Sequence, residues 1–485
     1  MSIYFLELLS EEEVYNFIDE IPPEKVVTSL TIKQPNNGFF MEIIPDILSF
    51  RNIITIYCNG LSIASLFTLP ETLKQLHCRN NELILLPDLP PNLAVLNCDY
   101  NNLIKLPTLP STLRELYCNF NFIKDFPDLP ENLEVLECNM NIFTELPDKL
   151  PYKLLRFVCN NNDIYRFPTV LPPYLEILEM DMNHISALPS HLPSTLKLLN
   201  CNYNDLTELP SELPYCLTKL YCCYNRIVQL PELPCMLKEL KCSFNKLTTL
   251  PVLPKGLRRL NCGKNNLIVL PELPGDLKYL DCGRNQISYI DYLPEKLTIL
   301  KINDNSFTEL PMLPKVGGSG GYGQLLTLTF AYNKITNIDK YAIPQSVKSL
   351  NTSFNMIDKL PILPNSLQIL YCDSNNLNTL PVLPKHLKHI SCMYNPFSDL
   401  PALPNCTRKI KRILLKLRNF REFYYLMKFR TPLRNWLWRM RERKIQIAMH
   451  PSKIMELLED DCNKRVDLFD RLEKIIETIC SKEHY

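Results

Sequence analysis

Leu73-Lys74-Gln75-Leu76-His77-Cys78-Arg79-Asn80-Asn81-Glu82-Leu83, followed by Leu86-Pro87-Asp88-Leu89-Pro90, decides the architecture of this chain. Leu76 and Cys78 alternate with Gln75, His77 and Arg79, the period of two that marks a strand with one buried face. The same pattern returns every 20 or 21 residues from Cys58 to Cys392. A period in this range builds a stack of supersecondary units, each touching its neighbours around one continuous core. Stacked units pair their strands in register, which predicts a long parallel sheet on the concave side. The default role of such a stack is an extended binding surface.

The segment that returns the chain to the next strand reads Leu-Pro-x-Leu-Pro. Proline fixes φ, removes a backbone donor and pushes the residue before it out of the α region. Two prolines three apart therefore exclude a full convex helix and favour extended or polyproline-II backbone. Asn81 recurs once per unit down to Asn395. An amide offers two donors and an acceptor, so this column is expected to satisfy turn backbone groups that burial would otherwise strand.

Composition agrees with an ordered stack. The 485 residues include 40 prolines and only 11 glycines, yet 46% of residues are hydrophobic, which argues against disorder. Lys and Arg total 53 against 52 Asp and Glu, a net charge of +1, so no global field draws the chain to nucleic acid or an anionic membrane. Of 19 cysteines, 13 occupy one repeat position, whose other occupants are Met180, Ile302, Phe330 and Thr352. Cysteine is used there as a small hydrophobe rather than as a metal ligand, because zinc sites gather close pairs on turns. Cys222-Cys223 reads as one core and one exposed thiol. The opening MSIYFLELLSEEE lacks a basic leader region, and no run of 18 uncharged apolar residues occurs. Reduced thiols and a cytoplasmic location are the expectation.

Specificity falls to the variable columns. The residue before each cysteine should face the groove, and it contributes Tyr117, Tyr221 and Tyr371 among polar neighbours of mixed sign. The residue before each asparagine is aromatic in eight of sixteen units, Tyr100, Tyr203 and Tyr224 among them. Tyrosine-rich surfaces with sparse charge serve as anchors in protein interfaces. These six tyrosines are the candidate partner contacts. The aromatic column has an equally direct structural reading, rings packed on one another along the edge of the stack.

Three regions lie outside the regular pattern. Residues 1–49 form an N-terminal cap, with Ser10-Glu11-Glu12-Glu13 opening a short helix through Val14, Phe17 and Ile18. Residues 50–405 hold about 17 units, interrupted by a Gly-rich insertion at 316–323. Residues 406–485 change to helical periodicity, with Ile410, Ile413, Leu414, Leu417 and Phe420 on one face. Between Arg408 and Lys444 stand 14 basic and 2 acidic residues. That stretch is either a solvated helical cap or a site for an anionic partner.

The repeated Leu-Pro-x-Leu-Pro-x-x-Leu-x-x-Leu-x-Cys-x-x-Asn resembles the short leucine-rich repeats of bacterial effectors. It is also similar to the cysteine-favouring repeats of proteins from giant amoebal (mimivirus-type) viruses. Trp436-Leu437-Trp438-Arg439-Met440-Arg441 and His450-Pro451-Ser452 resemble a tail found on proteins of those viruses. The resemblance implies a leucine-rich-repeat solenoid with a parallel sheet on its concave face, an extended convex face and a small α-helical C-terminal domain. Some such effectors carry a ubiquitin-ligase domain with a Cys-x-Asp site, which this tail lacks. No catalytic constellation, cofactor motif or metal site is legible. The expected function is a non-enzymatic scaffold that binds another protein across the concave surface. The alternatives are an anionic-surface binder through the basic helices, nucleic acid being the less expected ligand, and an adaptor for host ubiquitination.

Overall fold

The computed structural model describes residues 3–7, 28–33, 52–66, 68–314, 325–339 and 341–397. The N-terminal helix expected at Ser10, the Gly-rich insertion and the basic C-terminal helices all lie outside these residues. The chain divides into two compact units, Met1–Asn333 and Lys334–Tyr485.

In the first unit every strand pairs parallel with the next one in sequence. The order begins with β1 (Ile3–Glu7) and β2 (Ser29–Lys33), and β2 joins the three-residue strand β3 (Thr55–Tyr57). From β3 the ladder advances one repeat at a time to β16 (Thr327–Thr329), with Thr55 opposite Gln75 and Ile299 opposite Thr327. The sheet thus extends two strands beyond the recognisable repeats, into the segment read as a cap. Within each short strand the middle residue is buried and its neighbours are mostly half-buried, as at Gln75-Leu76-His77. This is the alternation that the sequence pattern demands.

The units of 20 and 21 residues keep a common register because the extra residue lies in the return segment. Leu146-Pro147 and Leu150-Pro151 are separated by Asp148 and Lys149, where the shorter units place a single residue. In most units the second proline accepts a hydrogen bond from the apolar residue three positions on, for example Leu93 N to Pro90 O at 3.1 Å and Leu154 N to Pro151 O at 3.1 Å. That i to i+3 bond closes a turn and aims the chain into the next strand. Among the described residues no helix forms on the return side.

The core is a set of columns. Leu73, Leu76, Cys78 and Leu83 of one unit repeat as Leu93, Leu96, Cys98 and Leu103 of the next, all with no exposed surface. Met180, Ile302 and Phe330 fill the cysteine slot in their own units and are equally buried. Several core thiols, Cys58, Cys78, Cys98, Cys118, Cys138 and Cys201, also donate weakly to a carbonyl of the next strand, as Cys98 Sγ does to Tyr117 O at 3.4 Å. Burial raises the pKa of the ladder thiols from Cys58 to Cys282 and takes Cys58 to about 12. These sulfurs are packing groups, not nucleophiles.

Asparagine knits the turns together. Asn101 Nδ2 donates to Cys78 O and Cys98 O, both at 3.0 Å, and its Oδ1 accepts from Leu83 N at 3.1 Å. One side chain therefore satisfies its own turn and the preceding one. The same geometry appears at Asn141, Asn204 and Asn265.

The second unit repeats the plan with β17 (Ser349–Asn351), β18 (Ile369–Tyr371) and β19 (His389–Ser391), again parallel and in register. Thr352 takes the cysteine slot there, fully buried, and its hydroxyl donates to Tyr371 O at 3.4 Å.

Candidate interaction surface

Just before each ladder asparagine the chain must turn off the strand, and it does so through the left-handed region. The residues at this position have φ between 47° and 58°, from Asn80 through Tyr100, Phe120, Tyr203, Tyr224 and Phe244 to Tyr394. Non-glycine residues in this region cost about 1–2 kcal/mol each. Here the conformation is fixed by the ladder. Tyr100 N donates to Asn119 O at 2.8 Å, and the following Asn101 N donates to Phe120 O at 3.1 Å. A left-handed residue projects its side chain off the edge of the sheet, so this column forms an exposed rim.

The rim rings stack. Tyr100 lies on Phe120 with centroids 4.1 Å apart and planes at 11°. Tyr203, Tyr224 and Phe244 form a three-ring stack at 4.0 and 3.8 Å, which Lys264 Nζ extends 4.3 Å beyond the Phe244 centroid. This stack borders a shallow cleft of about 530 Å³, also lined by His184, Asp205 and Arg226. Asp205 is paired with Arg226 at 2.6 Å. The rings stay accessible, with Tyr100 and Tyr203 each 43% exposed. The Tyr203 pKa is raised to about 12, first by its hydrogen bond to the Tyr224 hydroxyl.

The groove tyrosines are placed differently. Tyr117 and Tyr221 are half-buried on the strand face and have carboxylate partners. Tyr117 Oη donates to Glu115 Oε2 at 2.9 Å, and Tyr221 Oη donates to Glu239 Oε2 at 2.9 Å. Burial, then the neighbouring Glu115, raises the Tyr117 pKa to about 12. Lys241 Nζ sits 4.1 Å from the Tyr221 ring centroid. In the second unit Tyr371 tilts against His389 at 5.1 Å. The candidate tyrosines are thus not one cluster. Tyr203 and Tyr224 meet, Tyr100 belongs to a separate stack, and Tyr117, Tyr221 and Tyr371 each sit in a local polar setting.

Around these tyrosines the strand face is built of ion pairs. Arg156 contacts Glu137 at 2.7 Å and Glu179 at 3.8 Å. Farther along, Glu239 receives Arg259 at 3.3 Å and Lys241 at 3.5 Å, and Lys301 meets Asp281 at 3.7 Å. Among the described residues no three His, Cys, Asp or Glu side chains gather as a metal site. No described helix is long and apolar enough to cross a membrane.

One thiol differs from the sequence reading. Cys223 is buried, not exposed, at 7% of its surface, and its sulfur accepts from Ser243 Oγ at 3.1 Å. The reason is a second polar ladder, one residue after the cysteine column. Asn119 N donates to Asp99 Oδ1 at 2.7 Å, Asn139 N to Asn119 Oδ1 at 2.8 Å and Asn160 N to Asn139 Oδ1 at 2.7 Å. Cys223 continues this column, with its N–H donating to Asn202 Oδ1 at 2.7 Å. The recurring Cys-Asn pairs were its only signal, and Cys, Ser and Gly interrupt them.

No protein-family model matches the sequence, and no curated protein sequence is similar to it. Solved structures are similar. YopM from Yersinia enterocolitica superposes with a TM-score of 0.64 at 28% identity, over 81% of this chain and 98% of that one. The plant peptide hormone receptor RGFR1, solved in complex with RGF2, gives 0.59 at 22% identity, over 80% of this chain and 72% of the receptor. A functional domain of InlJ from Listeria monocytogenes, described as including a cysteine ladder, gives 0.49 at 26% identity, over 60% of this chain and 69% of that one.

Proposed function

We propose, from the premise that this chain is a leucine-rich-repeat solenoid, that it is a non-enzymatic scaffold whose strand face and aromatic rim bind another protein. One observation carries the reading. The buried columns consume the leucines, cysteines and ladder asparagines, while most side chains of the strand face and rim outside them are polar or aromatic, half-exposed and held in fixed register within each unit. Fixed, pre-organised aromatic and polar groups lose little freedom on binding. Tyr100, Tyr203 and Tyr224 are the rim anchors in this proposal, and Tyr117, Tyr221 and Tyr371 are the groove contacts. The free thiols of the described cysteines support a reducing compartment. We place the protein in the cytoplasm, that of a host cell if the likeness to giant-virus repeats reflects descent.

Site-specific photocrosslinking tests this reading. A photoreactive residue at Tyr203 or Asn261 should trap a discrete protein from cell extract. The same group at Val252, 86% exposed on the return side, should not. Equal trapping at all three positions, or none at any, would reject it.

A second reading comes from the basic stretch Arg408–Lys444, an anionic-surface site. Comparing the full chain with one lacking residues 406–485, against acidic vesicles and oligonucleotides across salt, decides it. Salt-sensitive binding by the full chain alone would favour it over the scaffold reading.

A further inference from the structure

Charge on the strand face of the first unit is segregated along the stack. Around β6 (Glu115–Tyr117), β7 (Val135–Glu137), β8 (Arg156–Val158) and β9 (Ile177–Glu179) the outward acidic groups are Glu115, Glu137, Glu179 and Asp181, with Arg156 as the single strand-position base. From β11 (Lys219–Tyr221) to β15 (Ile299–Lys301) the sign inverts. Lys219, Lys241, Arg259 and Lys301 outnumber Glu239 and Asp281. The column just before the strands follows suit, with Glu134 and Glu176 against Arg114 early, and Lys238, Arg258 and Lys278 later. A net charge of +1 therefore conceals two opposed fields.

An apolar waist runs through the last strands of the acidic block and one strand beyond it, Val158 on β8, Ile177 on β9 and then Leu198, with Tyr221 at its far border. The acidic block is also short of donors. Arg156 is shared by two carboxylates, and Asp181 Oδ1 is buried with no hydrogen-bond partner among the described residues. The reason is local. Asn202 N, which should donate to Asp181 by the logic of the second ladder, bonds instead to Asn200 Oδ1 at 3.3 Å.

We infer that this face takes an extended polypeptide segment whose own charge is blocked in the opposite sense: basic residues over β6–β9, a short apolar middle over the waist, and acidic residues over β11–β15. The inference rests on the protein-binding reading and names the chemistry of the partner. The dimensions suit it. Nine strand spacings of about 4.8 Å span roughly 43 Å, which an extended chain covers with about 13 residues. Like charges along a segment of uniform sign would meet repulsion over half the face, so the arrangement selects against purely basic and purely acidic partners.

The test uses the full chain and two fluorescein-labelled 14-residue peptides of identical composition. One runs lysine and arginine block, two leucines, glutamate block; the other alternates the charges. Fluorescence anisotropy at low salt should show the block peptide binding at least about ten-fold tighter, with the difference shrinking as salt is added. Glu137→Lys with Glu179→Lys, and separately Lys241→Glu with Arg259→Glu, should each weaken the block peptide about ten-fold. Circular dichroism confirms that the variants fold, and Val252→Lys serves as a folded control that leaves binding unchanged. Equal affinity for both peptides, no binding, or indifference to both reversals overturns the inference. So does tighter binding of an oligonucleotide to the basic block. Self-association that both reversals abolish would assign the face to a second copy and also overturn it. If Tyr203 and Asn261 still trap a protein while the peptides fail, the scaffold reading stands and only the charge rule falls.

Discussion

At Asn141 a single side chain holds four backbone groups: carbonyls of Cys118, Cys138 and Asn139, and the amide of Ile123. Removing it strands buried polar groups, each worth about 1–3 kcal/mol. Asn141→Ala should therefore cost several times what an exposed substitution costs, on the order of 3 kcal/mol in urea titration. Phe120, in the left-handed rim, is the opposite case. Phe120→Gly relieves about 1 kcal/mol of backbone strain and loses a stacking contact of about 0.5–1.5 kcal/mol. It should be nearly neutral, whereas fully buried Phe143→Ala should lose about 3–5 kcal/mol. The thiols give a pH dependence. In the folded chain Cys58 titrates at about 12 instead of the ordinary 9.0, so the folded ladder holds protons that the unfolded chain releases. Stability is complete below pH 9 and drains away as pH climbs from 9 toward 12. Melting temperatures should fall steeply over that window, and Cys98→Ala with Cys118→Ala should flatten the slope. A thiol reagent should label Cys216 and Cys235 quickly, these being the exposed pair among the described cysteines, and the ladder only on unfolding. The asparagine and cysteine columns were legible in the sequence because each is nearly invariant along the chain. The left-handed rim was not, since Tyr, Phe, Met and Lys at one position carry no conformational signature.

The strand and the return segment tolerate change differently. Strands of three residues have a period of two, so one inserted residue turns a buried leucine outward and breaks the register with both neighbours. The return segment already accommodates 20- and 21-residue units. An alanine inserted between Glu232 and Leu233 would lengthen that return to the 21-residue form. It should cost under about 1 kcal/mol, close to the loop-length scale. The same insertion between Leu240 and Lys241 should abolish cooperative unfolding seen by circular dichroism. The strand pattern from β3 onward could be read directly, because apolar and polar residues alternate around each cysteine. Strands β1 and β2 lack the Cys-x-x-Asn punctuation that separated strand from turn elsewhere. Their five-residue ladder therefore escaped a reading keyed to that signal. The groove tyrosines were located correctly on the strand face, but the partners of Tyr117 and Tyr221 were hidden. Glu115 lies two residues before Tyr117, while Glu239 lies 18 residues after Tyr221; only stacking brings the second pair together.

Over the whole chain, stability is a sum of units and the interfaces between them. Deleting Glu239–Arg258, one complete period, joins Arg259 to Lys238 with strand phase preserved. That variant should still unfold cooperatively, with its denaturant slope reduced in proportion to the surface removed. Deleting Glu239–Thr248, half a period, should not yield a cooperative transition. The charge segregation of the strand face emerges only at this scale. No single repeat shows it, and the overall balance of 53 basic to 52 acidic residues conceals it.

The asparagine ladder also has a direction. Leu61 N is satisfied by Asn81, Leu83 N by Asn101 and Leu103 N by Asn121, so each turn depends on a residue that follows it in the chain. On a ribosome this becomes a matter of timing. A turn that has just emerged keeps its amides exposed until about 20 more residues are made, roughly one to four seconds of synthesis. The nascent solenoid therefore always carries one unfinished unit at its growing end, and it completes each unit only by beginning the next.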